Sequence, residues 1–306
     1  MSKIIAVVAN ISEGSDQRFI DDLEARLTEI TNLIMLDVAV DHGRNRTVIS
    51  FTGTKDAIFK GGMLLYELSL KQIDMRRHEG DYPRVGAVDV FPFVPLKNAS
   101  IDEAKEWAIE FAENVAEKFS LPVYLFAEAA RYRYRRDIAN IRQGEYEGFE
   151  EKMKDLRWKP DVGPDQFRPD RGVTIIGARH PLISFKVALG CFDQRVADQV
   201  GHAVADTSGG ILRVNTRLDE ETKFAVLSIS ITNFKASPMY RVIENIRLEA
   251  ARFGVSIRKV EMVGLIPEIV LIEAAEYYMC IQGFDPEDLL EHSIQSHLDE
   301  QFSFKG

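Results

Sequence analysis

RRHEGDYPRVGAVDVFPFVP, Arg76 to Pro95, joins a polar loop to an apolar strand, and its reading decides the fold. Gly80 and Pro83 break helical structure across the first half. Val88 to Val94 then reads as a strand that ends at Pro95. His78 and Tyr82 stand four residues apart. In a run without helix, that spacing does not by itself put them on one face.

Upstream, Ile4 to Val8 reads as a buried strand running into NISEG. Asn10, Ser12, Glu13 and Gly14 form a polar loop at its end, with Ser12 and Asp16 as alternative helix caps. Asp16 to Thr31 carries apolar residues at helical spacing. Asn32 to Val40 and Arg46 to Phe51 read as two strands joined by DHGRN. Lys55 to Asp74 reads as an amphipathic helix. Downstream, Ile101 to Phe119 is helical, with Asp102 and Glu103 in the first turn, where the helix dipole favours acids. Pro122 to Phe126 is a strand. Glu128 to Trp158 reads as short helices and loops. DVGPDQFRPDRG, Asp161 to Gly172, is a loop of functional composition.

The second half repeats the theme. Leu182 to Leu189 is a strand and Phe192 to Ala205 a helix, closed by a turn at Ser208 to Gly210. Leu212 to Arg217 and Phe224 to Ile231 are paired strands. Pro238 to Phe253 is a helix and Val255 to Val263 a strand. That order, βαββαβ, is the ferredoxin-like unit. A further helix runs from Pro267 through Tyr278, with another expected from about Leu290. The expected fold is therefore α+β: two ferredoxin-like α/β subdomains, residues 1–180 and 181–298, with a ligand groove between them.

The 306 residues are 45% hydrophobic and 28% charged, as in an ordinary globular protein. The formal net charge of −10 argues against a nucleic-acid partner. No apolar stretch approaches a membrane span or a signal-peptide core, so the expected location is the cytoplasm. Cys191 and Cys280 read as two buried thiols rather than a disulfide or a metal site. There is no Walker loop, HExxH, GxSxG or GxGxxG.

The quoted run resembles the signature of the formiminotransferase family, close to HxGEHPRMGAxDVxPFxP. Other pieces recur in family order: NISEG (Asn10 to Gly14), NRTV (Asn45 to Val48), EAARYRYRR (Glu128 to Arg136), IRQGEYEG (Ile141 to Gly148), WKPDVGP (Trp158 to Pro164), GARHPLISF (Gly177 to Phe185), TNFKASPMYRV (Thr232 to Val242) and VGLIPE (Val263 to Glu268). Together they cover roughly residues 3–295. The resemblance implies a folate-dependent transferase. It would move a formimino, or formyl, group from N-formiminoglutamate to N5 of tetrahydrofolate, within histidine breakdown. Tetrahydrofolate is then a co-substrate, no metal is required, and a homodimer is expected.

The sequence departs from the family where it matters most. Tyr82 stands at the position of the family's catalytic histidine. A phenol with a pKa near 10 is only about 0.1% ionised at neutral pH, whereas the transfer needs a group that both takes and gives a proton. Tyr82 retains the ability to donate a hydrogen bond. His78 also matches a family histidine and reads either as a compensating base or as a loop histidine holding backbone. His180, Arg168, Lys186 and Ala188 are further departures, the last two on one face of a strand. For carboxylate recognition the candidates are Arg84, Arg131, Arg135, Arg136, Arg171 and Arg179, with Arg84 and Arg179 inside family motifs. RYRYRR reads equally as a solvated charged face. Asp89 is expected to orient a site residue or to satisfy backbone donors. Gly163, Pro164 and Gly172 mark the loop side of the expected site. The alternative to turnover is a catalytically silent folate-binding paralogue acting as a sensor or partner subunit, or the same fold turned to another reaction.

Overall fold

The first unit builds its sheet outward from its first strand. In the computed structural model, which describes residues 3–208 and 212–294, β1 (Ile4–Ile11) lies between β3 (Arg46–Gly53) and β4 (Val88–Lys97), antiparallel to both. β2 (Leu33–Asp41) pairs with β3 at one edge. With α1 (Gln17–Thr28) and α2 (Lys55–Gln72), these strands form a βαββαβ unit in the order β2-β3-β1-β4. The sheet then continues. β6 (Thr174–Ala178) and β5 (Val123–Ala127) extend it in parallel, giving β2-β3-β1-β4-β6-β5. The expected ferredoxin-like subdomain is thus a six-stranded mixed sheet, and α3 (Ile101–Phe119) belongs to the added part.

The added strands need cover on both faces, as parallel strands generally do. On one side, Phe91, Phe93, Leu125 and Ile176 pack with Phe111 of α3 and with residues of α2. On the other, Val90, Tyr124, Phe126 and Ile175 pack under α4 (Ile138–Arg142) and α5 (Glu145–Lys152) through Ile141 and Phe149. This explains why β4 is buried over eight successive residues. β4 also runs past Pro95 to Lys97. The pairing slips between Ile4 and Ile5 at that point, and such an irregularity accommodates a residue lacking an N–H. Gly177 allows β6 to approach β5: a Cβ there would lie 2.3 Å from the Phe126 carbonyl oxygen.

Local sequence sets the helix starts. Asp16 caps α1 by accepting from the Phe19 amide at 3.1 Å. Ser100 and Glu103 form a reciprocal capping box on α3, at 3.1 and 2.9 Å.

The chain divides into two compact units, residues 1–180 and 181–306. The second holds β7 (Ile183–Leu189), α6 (Gln194–Asp206), β8 (Leu212–Asp219), β9 (Phe224–Ile231), α7 (Met239–Ala251), β10 (Ile257–Val263) and α8 (Glu268–Met279). Its four strands are antiparallel in the order β10-β7-β9-β8. Alternation along β7 puts Phe185 and Val187 in the core with Ile246 and Val200. Lys186 and Ala188 share the opposite face, with Lys186 beside Ser228 and Glu261. A short helical stretch occupies 290–294. The turn expected at Ser208 to Gly210 and the final helix beyond 294, with His297, extend outside the described residues. Among those residues, no helix is long and apolar enough to cross a membrane. Both thiols are free, and Cys280 is exposed rather than buried, in a left-handed conformation at the end of α8.

Candidate functional site

NISEG, NRTV and HEGDYPR meet around one residue, Asn45. Its side-chain oxygen accepts from the Gly14 amide at 2.8 Å, and its amide nitrogen donates to the Glu79 carbonyl at 2.8 Å. Its own carbonyl meets His78 Nε2 at 3.1 Å. Gly14 is needed where β1 turns away, because a Cβ there would lie 2.5 Å from the Arg46 amide nitrogen. Glu13 turns back on its own loop and accepts from the Ser15 and Asp16 amides at 2.7 and 2.9 Å. Ser12 is not a helix cap: its hydroxyl donates to the Gly86 carbonyl at 2.8 Å.

These contacts enclose a cleft of about 10 Å³ lined by Ser12, Arg44, Arg46, His78, Tyr82, Arg84 and Asp89, together with Asn45. That is room for about one water. Tyr82 is its centre. The Arg46 guanidinium lies 4.2 Å from the Tyr82 ring centroid and the Arg142 guanidinium 5.0 Å, both within cation–π range. Arg142 donates to the Tyr82 hydroxyl at 3.0 Å and pairs with Asp89. Asp89, only 2% exposed, also accepts from the Val85 amide at 2.9 Å. It therefore holds both the motif backbone and, through Arg142, the phenol. Burial disfavours the Arg142 charge, but Asp89 and Tyr82 more than offset this and raise its pKa.

His78 is committed on both sides. Arg84 Nε donates to its Nδ1 at 3.2 Å, so Nδ1 is an acceptor and Nε2 carries the proton given to Asn45. Burial, reinforced by the Arg84 charge, pulls its pKa below the usual histidine range. This geometry is that of a histidine holding backbone. Arg84 is likewise engaged. Its guanidinium donates to Glu147 at 2.6 and 3.0 Å and to the His78 carbonyl at 3.3 Å.

The other candidates lie elsewhere. Asn10 is inside β1 and donates to the Val8 carbonyl at 3.2 Å. Arg131 is exposed and donates to the Asp161 carbonyl at 2.8 Å. Arg135 is 1% exposed and pairs with Asp161 at 2.6 Å within a cage of Tyr124, Tyr132, Tyr134 and Trp158. Arg136 pairs with Glu128. Within RYRYRR, Arg135 is thus a buried strut rather than part of a solvated face. Gly163 and Gly172 have positive φ, 87° and 73°, and abut the Leu121 and Val85 carbonyls. No residue of 161–172, Pro164 included, lines the Tyr82 cleft. Arg179 donates to the His180 carbonyl at 3.0 Å, and burial draws its pKa down to about 10, so it stays charged at neutral pH. His42 is exposed, with Nδ1 2.5 Å from the Gly14 carbonyl. His292 meets Glu268 at 2.9 Å.

Arg142 was not foreseen. It sits in IRQGEYEG, and its only sequence signal was membership of that piece.

The formiminotransferase N-terminal subdomain family matches residues 4–179, and the formiminotransferase domain family matches 208–293. The chain belongs to the formiminotransferase family. It is 34% identical to a glutamate formimidoyltransferase of Streptococcus pyogenes serotype M1, over 96% of this chain and 99% of that one. It is 36% identical to a glutamate formimidoyltransferase of Thermoplasma acidophilum, over 95% and 97%. A formimidoyltransferase-cyclodeaminase of Dictyostelium discoideum is 36% identical over 91% of this chain but only 53% of its own length. This formiminotransferase thus spans about half of such bifunctional relatives. Within the family frame, the cleft around Tyr82 is where its motifs converge.

Proposed function

We propose that this formiminotransferase moves a formimino group from N-formiminoglutamate to N5 of tetrahydrofolate, with the formyl analogue as a second donor. The observation that carries this reading is 34–36% identity, over nearly the whole chain, to proteins named glutamate formimidoyltransferase. Tetrahydrofolate is then a co-substrate. N5 bonds to the amidine carbon, the bond from that carbon to the glutamate nitrogen breaks, and one proton passes from N5 to that nitrogen.

Tyr82 takes a donor's part in this scheme. Its oxygen accepts from Arg142, so its own hydrogen is available to the reacting group. Asp89 and Arg142 are positioning residues that fix the phenol. Without a free imidazole there, the reaction is slow. A homodimer in the cytoplasm goes with this reading.

A second reading is favoured by one observation: both ring nitrogens of His78 are engaged. The protein would then bind reduced folate without turnover. Purified protein, tetrahydrofolate and formiminoglutamate decide between them. Formation of 5-formiminotetrahydrofolate supports transfer. Saturable folate binding with no product supports the silent paralogue. Neither result would return the protein to an unassigned reaction.

A further inference from the structure

Lys152, in the last turn of α5, reaches back to the end of α4. Its ammonium donates to the carbonyls of Asn140 and Ile141, each at 2.7 Å, and of Gln143 at 2.9 Å. All three of its hydrogens are thus spent. α4 has five residues, too few to hold itself by its own hydrogen bonds. The last carbonyls of a helix also lack partners within it, and a cation at that end answers both needs. The Lys152 ammonium is partly buried, 3.9 Å from the Trp158 ring centroid and 5.4 Å from that of Phe149.

The carbonyls of Ile141 and Gln143 flank Arg142, the last residue of α4. Lys152 therefore grips the backbone on both sides of the residue that donates to the Tyr82 hydroxyl at 3.0 Å and pairs with Asp89. Gly144 and Glu145, with φ of 88° and 53°, make the turn between α4 and α5. Lys152 itself lines no part of the Tyr82 cleft, so its influence there passes through Arg142.

We propose that Lys152 is a positioning residue: its grip on the α4 carbonyls sets Arg142, and Arg142 in turn aims the Tyr82 hydroxyl at the reacting group. Its part in the reaction rests on Tyr82 being the donor in the transfer proposed above. The grip weakens above neutral pH. Burial, then the charge of Arg135, draws the Lys152 pKa down to about 8. A neutral amine keeps two donors for three carbonyls and turns a lone pair toward one of them. The carboxylates of neighbouring elements are paired elsewhere: Asp161 with Arg135, Glu147 with Arg84 and Glu151 with Lys154.

Steady-state transfer from about pH 6 to about pH 10 tests this. Lys152→Met is expected to lower kcat at neutral pH by about tenfold or more, with little change in KM, since a small misplacement in a site is costly. Lys152→Arg keeps a cation that does not titrate and is expected to lose the wild type's fall in rate near pH 8. A second measurement needs no turnover. Urea midpoints of Lys152→Met, Tyr82→Phe and the double variant are expected to be coupled, the double variant losing less than the two singles together. A wild type without transfer defeats the reading of Tyr82 as donor, and the midpoints then decide alone whether Lys152 sets Arg142. Should Lys152→Met fail to fold by circular dichroism, Lys152→Arg takes its place in both measurements. An unchanged kcat in Lys152→Met, a basic limb that persists in Lys152→Arg, or additive midpoints overturns the proposal.

Discussion

Tyr82 is held by two arginines and, through one of them, by a buried aspartate. That setting predicts what a histidine would do there. Tyr82→His is expected to raise formimino transfer by about 10²-fold, the usual worth of general acid–base catalysis. Arg46 and Arg142 disfavour a third cation between them, so the new titration should fall below about 6.5. Steady-state rates from about pH 5 to about pH 9 check both points, and a wild-type rate already equal to the mutant's removes Tyr82 from proton transfer. Arg142→Ala leaves Asp89 buried and uncompensated. It is expected to lower stability by ~3–5 kcal/mol, read as a shifted urea midpoint. His78 gives the pH dependence. Its folded pKa lies below the unfolded value, so between the two the unfolded chain binds more protons and stability rises with pH. The folded state should therefore weaken as pH falls through about 6.5, and His78→Gln should flatten that slope. Tyr82 and Asp89 were visible from motif position alone. The engagement of Arg84 was not, because its partner Glu147 is 63 residues away in sequence and reaches it only through the fold.

Elements with a strong period were legible, and those without one were not. α3 begins and ends where its apolar spacing says, helped by Ser100 and Glu103. β9 likewise matches its alternation. β6 escaped because TIIGA, buried on both faces, has no alternation to detect. Its absence from the sequence reading hid the parallel half of the first sheet. The capping box supplies a test at this scale. Ser100→Ala is expected to destabilise the first unit by ~1 kcal/mol, measured as a lower melting temperature with unchanged spectra.

At the scale of the molecule, the second unit carries a core of its own, from Ile183 to Val270. Residues 181–294 expressed alone are expected to unfold cooperatively in urea, as a domain with its own core does. A gradual, non-cooperative loss of ellipticity would count against that independence. The six-stranded sheet with its two covered faces was beyond the sequence, since strand order follows from long-range pairing rather than from any local pattern.

The chain has two tryptophans, and both lie in the first unit. Trp107 has Phe59 at 6.5 Å and the Lys55 ammonium at 6.0 Å. Trp158 carries the Lys152 ammonium 3.9 Å from its ring centroid and is braced by Arg135. Indole fluorescence is therefore a reporter of residues 1–180 alone, whereas far-ultraviolet dichroism sums over the whole chain. Melting followed by both signals separates the two units without a label: coincident curves mean they unfold as one, and displaced curves give each its own midpoint.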